Sequence, residues 1–390
     1  MSLFKKVGLG LAAIMASFMA KADYSWNFPE PVTPMALDTL HVHNKFMIIT
    51  MVIFVVVLAI MIYSIFAHRK SKNFKPVEDK APSTTIEIFW TLIPFAILLL
   101  IDFVIMGIPA YHSVVMMEDT RNEAKMVVKI TGSQWRWQYE YLDGDAQGIK
   151  LVSNLSTPKE QMDKGFEGKK DEQYLLEVDN RLVLPVGEKV RILMTATDVL
   201  HNWWVPQFGS SRVAVPGFIR ETWVQVDKPG TYRGQCKELC GKGHGYMPVV
   251  VDALPMEEYK AWVVAKKEEM AKASAGADKE WTKEELIAEG KSVYEKNCAV
   301  CHQVSGAGLP PAFPALTGSK ITTSPIFGAD GKYLPDSHLD RVLNGKGVMP
   351  AWKSTLNDSE IAAVITYERN ALGNSVGDLI QPSQVKSARQ

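Results

Sequence analysis

Cys236-Lys-Glu-Leu-Cys240-Gly-Lys-Gly-His244-Gly-Tyr-Met247 puts two thiols, an imidazole and a thioether into one short loop. Gly241, Gly243 and Gly245 let that loop fold back on itself. Thiolate and thioether are soft ligands that suit copper, and imidazole suits copper or zinc. His201, upstream in Asp-Val-Leu-His-Asn-Trp-Trp-Val-Pro, offers a second imidazole. A mononuclear blue-copper site takes one Cys, two His and a weak Met, so this set holds one thiolate too many. Two solutions remain open on the residues alone: a tetrahedral Cys2His2 zinc staple, or two metals bridged by two sulfurs. Around the loop, from Lys125 to Val251, short runs rich in Val, Ile, Thr and aromatics alternate with Gly and Pro. These are Met126–Ile130, Leu175–Val178, Lys189–Met194, Phe218–Val226, Gly230–Tyr232 and Met247–Val251, and they predict a β-sandwich with the metal loop joining its last two strands.

The pattern Cys-x-Glu-x-Cys-x-x-x-His-x-x-Met, with an upstream His in a Trp-rich loop, resembles the dinuclear copper A motif of subunit II of cytochrome c oxidases. The resemblance implies a cupredoxin-like Greek-key fold. It also implies that Cys236 and Cys240 bridge two coppers, one completed by His201 and Met247, the other by His244 and the backbone carbonyl of Glu238. The Glu238 side chain would belong to a magnesium site shared with subunit I. In Gln-Trp135-Arg-Trp137-Gln-Tyr139-Glu-Tyr141 the alternating aromatics read as one packed strand face. In the family, the first Trp of such a segment lies above the copper site and receives electrons from cytochrome c, and Trp135 matches it.

Lysine plus arginine equals aspartate plus glutamate, 43 against 43, so no global field points to nucleic acid. Residues 1–22 read as a secretory signal: Lys5 and Lys6, an apolar Val7–Met19, and Ala20-Lys21-Ala22 for cleavage, with an uncleaved anchor as the alternative. Residues 24–40 are expected to be irregular. Phe46–Phe66 carries no charged residue and is long enough to cross hydrocarbon of roughly 30 Å. Ile88–Ala110 is a second span, interrupted only by Asp102. His68, Arg69, Lys70, Lys72, Lys75 and Lys80 between them place the short loop in the cytoplasm and everything after Ala110 outside. Glu87 opens the second span; the oxidase family has such a Glu in Glu-x-x-Trp-Thr-x-x-Pro, near the mouth of a proton channel in subunit I.

Beyond the sandwich domain (111–270), with residues 143–173 expected as an exposed insertion, residues 255–272 predict a helix bearing Tyr259, Trp262 and Val263. A linker follows at 271–281. Cys298-Ala-Val-Cys301-His302 then has the spacing of covalent c-type haem attachment: two thiols for the vinyl groups and an adjacent imidazole for the iron. All four cysteines are thus in metal-type or haem-type motifs, leaving none for a disulfide. Thr282 with Glu285 predicts a capped helix start, and a second helix is expected over Asp358–Leu372. Met349, in Gly-x-Met-Pro-x-Trp, resembles the distal ligand of class I cytochromes c. Met/His ligation raises the haem potential and suits electron transfer. Residues 282–373 therefore resemble a small all-α cytochrome c, and 374–390 read as a disordered tail.

The whole chain resembles a caa-type subunit II with a fused cytochrome c. That resemblance implies a two-pass protein of a bacterial inner membrane with its copper and haem domains in the periplasm. Its partners would be subunit I and the other oxidase subunits, with cytochrome c or the bc complex as donor. Oxygen reduction and proton pumping would occur in subunit I. Nitrous oxide reductase shares the copper motif but is soluble, with a propeller domain absent here. A copper-A nitric oxide reductase could share the membrane hairpin, and a membrane copper chaperone would need no haem motif.

Overall fold

The structure, a computed structural model, describes residues 27–72, 83–105, 107–162, 165–275, 279–311, 313–347, 349–353 and 355–389. The expected signal stretch and most of the basic loop after Lys72 lie outside them. Helix α1 spans Pro34–Ala67, so it starts well before the expected Phe46, and residues 34–40 are helical rather than irregular. The reason is local: Thr33 caps it, its Oγ1 accepting from Ala36 N at 3.0 Å, and Pro34 is pre-set for the first helical position. The same hydroxyl donates to Phe208 O at 2.7 Å, and Val32 N donates to Gln207 O, so the helix base is tied to the sandwich. The second apolar stretch runs as α2 (Thr84–Leu99), a π-helical segment Leu100–Ile105, and α3 (Gly107–Glu118), extending past the expected Ala110. Pro34–Ala67 and Thr84–Phe103 are both long and apolar enough to cross a membrane. Their apolar side chains, among them Ile48, Phe54, Phe89 and Leu98, face outward. Helices can do so in lipid because their backbone groups are satisfied internally.

Ten strands form the sandwich. One sheet has the order β3 (Lys150–Ser153), β2 (Arg136–Tyr141), β1 (Met126–Ser133), β5 (Val190–Ala196), β8 (Arg220–Val224). The other runs β4 (Leu182–Pro185), β10 (Pro248–Leu254), β9 (Gly230–Cys236), β6 (His201–Trp204), β7 (Ser211–Ala214). Most pairs are antiparallel, but β1–β5 and β4–β10 are parallel. Alternation puts Val128, Ile130, Trp137, Tyr139, Tyr141, Ile192 and Met194 on the inner face of the first sheet, against Leu182, Leu184, Trp203, Val249 and Val251 of the second. Burying each such side chain is worth about 1.5–3 kcal/mol. Tyr141 Oη locks the sheets together, donating to Val183 O at 2.8 Å and accepting from Val183 N at 3.0 Å. Two expectations need correction. Residues 143–153 are not part of an exposed insertion: Ala146 and Ile149 are fully buried, and β3 pairs with β2 at Tyr139↔Leu151. Leu175–Val178 is not a strand: Leu175 has φ 61°, which breaks extended pairing and leaves one bridge, Leu155↔Val178.

Helix α4 (Met256–Ala275) leaves β10 with Tyr259 and Val263 buried, and runs on through the start of the expected linker. The C-terminal domain is built from α5 (Lys283–Asn297), α6 (Ala299–His302), α7 (His338–Asn344) and α8 (Asp358–Asn370). Thr282/Glu285 and Asn357/Glu360 form reciprocal capping boxes on α5 and α8. These two helices cross at Gly290, where a Cβ would overlap the Ala363 carbonyl. The final stretch is a correction too. Residues 374–389 fold back and end in α9 (Pro382–Ala388), with Ile380 and Val385 buried. Arg369, buried in the core, needs a counter-charge, and Asp378 supplies it at 2.6 Å.

Candidate metal centre

The loop from Cys236 to Met247 connects β9 to β10, and Cys236 N donates to Met247 O at 3.4 Å across its base. Antiparallel pairing fixes the two ends, so residues that lie far apart along the loop face one another. Cys236 Sγ is 3.9 Å from Cys240 Sγ and 3.2 Å from Glu238 O. Cys240 Sγ is 3.5 Å from His244 Nδ1 and 3.5 Å from Met247 Sδ. His201 comes from the neighbouring strand, since β6 pairs with β9 at Trp203↔Cys236. Its ligand atom lies within 4.8 Å of both cysteine sulfurs. Gly132 opposite it is what leaves room: a Cβ there would stand 3.0 Å from the imidazole.

His201 is fully buried; its Nε2 bonds Asp198 Oδ1 at 2.9 Å, while Nδ1 has no hydrogen-bond partner. A buried unpartnered imidazole nitrogen facing two sulfurs is the arrangement of a metal ligand whose other nitrogen is held by a carboxylate. Burial pushes Asp198 up, but His201 and the amides of Gln134 and Val199 outweigh it and hold the carboxylate below its ordinary range. Burial pulls His201 down, and Asp198 and Cys236 more than reverse that. The two thiols share a proton: hydrogen bonding from Cys240 draws Cys236 down, and Cys240 rises in turn. Cys236 is thus the thiol of the pair that its surroundings favour as the thiolate, the form that binds metal.

Trp135 and Gln134 roof the loop. Trp135 Nε1 donates to Cys240 O at 3.1 Å and Gln134 Nε2 donates to the same oxygen at 2.8 Å. Gly243 is needed beneath them, because a Cβ would run into the Trp135 ring. All six expected copper donors, His201, Cys236, Glu238 O, Cys240, His244 and Met247, are thus brought together. Sequence reasoning missed Asp198, Gln134 and Gly132; only Asp198, a carboxylate three residues before His201 in the same segment, carried a signal. Glu87 lies in the first turn of α2, partly exposed and away from this loop.

In the C-terminal domain α5 delivers Cys298, and Cys301 and His302 follow on α6. His302 is buried, and its Nδ1 bonds Pro314 O at 2.9 Å, which leaves Nε2 for iron. Met349 is partly buried against the domain core, beside Trp352. Tyr294 Oη donates to Gln303 O at 2.6 Å and holds the turn that follows His302. Burial pushes the Cys298 and Cys301 thiols up, and the Arg136 charge opposes it. The residues present fit a covalent haem with an oriented proximal imidazole.

Three family models match in succession. Cytochrome c oxidase subunit II, transmembrane domain, matches residues 21–108, and its periplasmic domain matches 126–254. Cytochrome c oxidase, cbb3-type, subunit III matches 271–367. Cytochrome c oxidase subunit 2 of Arabidopsis thaliana is 34% identical over 247 residues, 63% of this chain and 90% of that protein. A probable cytochrome c oxidase subunit 2 of Rickettsia felis is 35% identical over 269 residues, covering 67% and 80%. Among solved structures, the periplasmic domain of subunit II of cytochrome oxidase from Bradyrhizobium japonicum is 35% identical, with a TM-score of 0.32 and coverage of 37% of this chain and 96% of that one. Two apolar helices, a cupredoxin-like sandwich around a cysteine–histidine–methionine loop and a helical domain with a haem-attachment motif agree with the three family models and the curated relatives, and the chain belongs to the cytochrome c oxidase subunit II family, with a cytochrome c domain at its C-terminal side.

Proposed function

We propose that this chain is the electron-entry subunit of a respiratory haem-copper oxidase. Electrons from cytochrome c or the bc complex would enter it and pass to subunit I, where oxygen is reduced to water and protons are pumped. One observation carries the reading: two cysteine sulfurs, two imidazoles and a thioether converge in a chain that also carries Cys298–His302. When bound, a dinuclear copper A and a single haem c supply one-electron redox chemistry. The protein's own residues do the rest. Cys236, Cys240, His201, Met247, His244 and Glu238 O would hold the coppers. Cys298 and Cys301 would hold the haem, His302 and Met349 its iron.

Cys236, Cys240 and Met247 are buried beneath the Trp135 roof, although the tip of the loop around Leu239 is exposed, and a stiff donor set shielded in this way changes little in shape when its charge changes. Trp135 is the proposed point of electron entry. Glu87 is assigned to the mouth of a proton channel in subunit I, and the Glu238 side chain to a magnesium shared with that subunit. The proposed domains are a sandwich domain at 111–270, whose last helix runs on to Ala275 into the proposed 271–281 linker, and a cytochrome domain at 282–373 on which residues 374–389 also pack. They would stand in the periplasm of a bacterium, anchored in its inner membrane.

Cys240→Ser tests the assignment. It should abolish the mixed-valence copper signal in electron paramagnetic resonance while leaving the haem c absorption bands intact. Retention of the copper signal would rule out a two-sulfur bridge.

A further inference from the structure

Strand β2 alternates, sending Trp137, Tyr139 and Tyr141 into the sandwich and Arg136, Gln138 and Glu140 to its outer face. Gln138 and Glu140 are partly exposed, as outer-face residues should be. Arg136 is only 4% exposed. Its cover comes from the other domain: the guanidinium Cζ lies 3.9 Å from the ring centroid of Trp352, itself 4% exposed. Arg136 Nε has no hydrogen-bond partner among the described residues, and the Trp352 ring face offers the buried cation a contact in its place. Desolvation lowers Arg136 to about 10, opposed by Cys298, Cys301 and Asp198; it stays charged at neutral pH, with those groups around it. Asp198 in turn holds His201. Trp352 belongs to the core cluster against which Cys298 packs, and Asp198 accepts from Gln134 N two residues before Arg136, so this contact lies between the haem-attachment segment and the carboxylate that orients His201.

We propose that Arg136 is a positioning residue that clamps the C-terminal domain onto the outer face of β2 through Trp352, holding the Cys298–Cys301 edge against the Trp135–Asp198 side of the copper centre. The clamp rests on the reading of the two sites given above. An uncompensated buried guanidinium is unfavourable unless a partner offers it a π face, and Trp offers the best one. Docking and charge burial are therefore one event: when the domains part, Arg136 regains water and Trp352 loses its cover. With haem attached at Cys298 and Cys301, a positive charge held on Trp352 would favour the reduced haem and raise its potential.

The test uses the full-length chain carrying Arg136→Gln or Arg136→Lys. Backbone hydrogen exchange over residues 133–136 and 350–356 reads docking whether or not copper is bound. With both cofactors loaded, pulsed electron paramagnetic resonance gives the distance distribution between the copper pair and the ferric haem, and a redox titration gives the haem c potential. Arg136→Gln should speed exchange in both segments roughly tenfold, a docking loss of about 1.4 kcal/mol. It should also broaden the distance distribution and lower the potential. Arg136→Lys, which keeps a cation but not a planar one, should restore the potential and much of the protection. Unchanged exchange and an unchanged distance distribution in Arg136→Gln would overturn the clamp. If the Gln chain fails to fold, Trp352→Leu decides in its place, with the same two readouts and the same overturning result. A native chain without a copper pair would overturn the function reading instead, and exchange would still decide the clamp.

Discussion

The copper loop and the haem segment hold their groups in opposite ways. Between β9 and β10 the donors touch: sulfur, imidazole and thioether lie 3.5–3.9 Å apart, with one further histidine from the adjoining strand. In the C-terminal domain the motif residues are spread from Cys298 to Met349 over separate loops and helices, and the fold fixes orientation, seating His302 on Pro314 O. A small ion needs donors already converged, and a sheet hairpin gives that stiffness. A macrocycle needs walls, and helices brought close together at a glycine give those.

Gly290→Ala breaks the comparison where it is strongest. Its Cβ would meet the Ala363 backbone and force α5 from α8, at a cost of about 3 kcal/mol, the upper range for overpacking. Thermal unfolding followed by haem absorption should shift down while the copper bands melt as before; a common shift of both would mean that the two regions are not separately held.

Asp198→Asn acts on the other side. It weakens the carboxylate that fixes His201 Nε2 and receives Gln134 N, so copper affinity should fall about 10–100-fold, as for other second-ligand carboxylates. Competition with a chelator measures this; the haem content should not change.

A smaller effect concerns acid. Glu221 on β8 accepts from Arg191 at 2.6 Å and from Thr120 at 2.9 Å, and Arg191 is the chief reason that its carboxyl is lowered to about 2. A depressed carboxylate contributes stability above its ordinary value of about 4.3, and loses it as pH falls toward 2. Glu221→Gln should cost about 1 kcal/mol at neutral pH, as a partly exposed pair does. It should also flatten the pH dependence of sandwich unfolding between about 4 and 2, measured by denaturant titration of the copper-domain signal. An unchanged acid profile would place that acid sensitivity elsewhere.

Much of this was legible in the chain. The convergence of the proposed copper donors could be read because metal chemistry imposes spacing, and the packed face Trp137–Tyr139–Tyr141 because a strand has period two. The pairing of β3 and the docking of α9 were not, because each is decided by distant partners; the start of α1 had a local signal in Thr33-Pro34, reinforced from the sandwich. Thr33 is fixed by Phe208, Ile149 is buried by the sandwich, and the last helix follows a chain whose Asp378 answers Arg369. Arg136 was hidden for the same reason. As one letter in an aromatic strand it reads as an exposed outer-face residue, and only Trp352, far along the chain, shows otherwise.

The most direct test of the central claim is the copper and haem content of the purified full-length chain, taken together with its electron paramagnetic resonance spectrum. The account predicts a pair of coppers and one covalent haem per chain, with a mixed-valence copper signal. A single zinc or a single copper without that signal would contradict it, and would reduce the Cys236–Met247 loop to a structural staple.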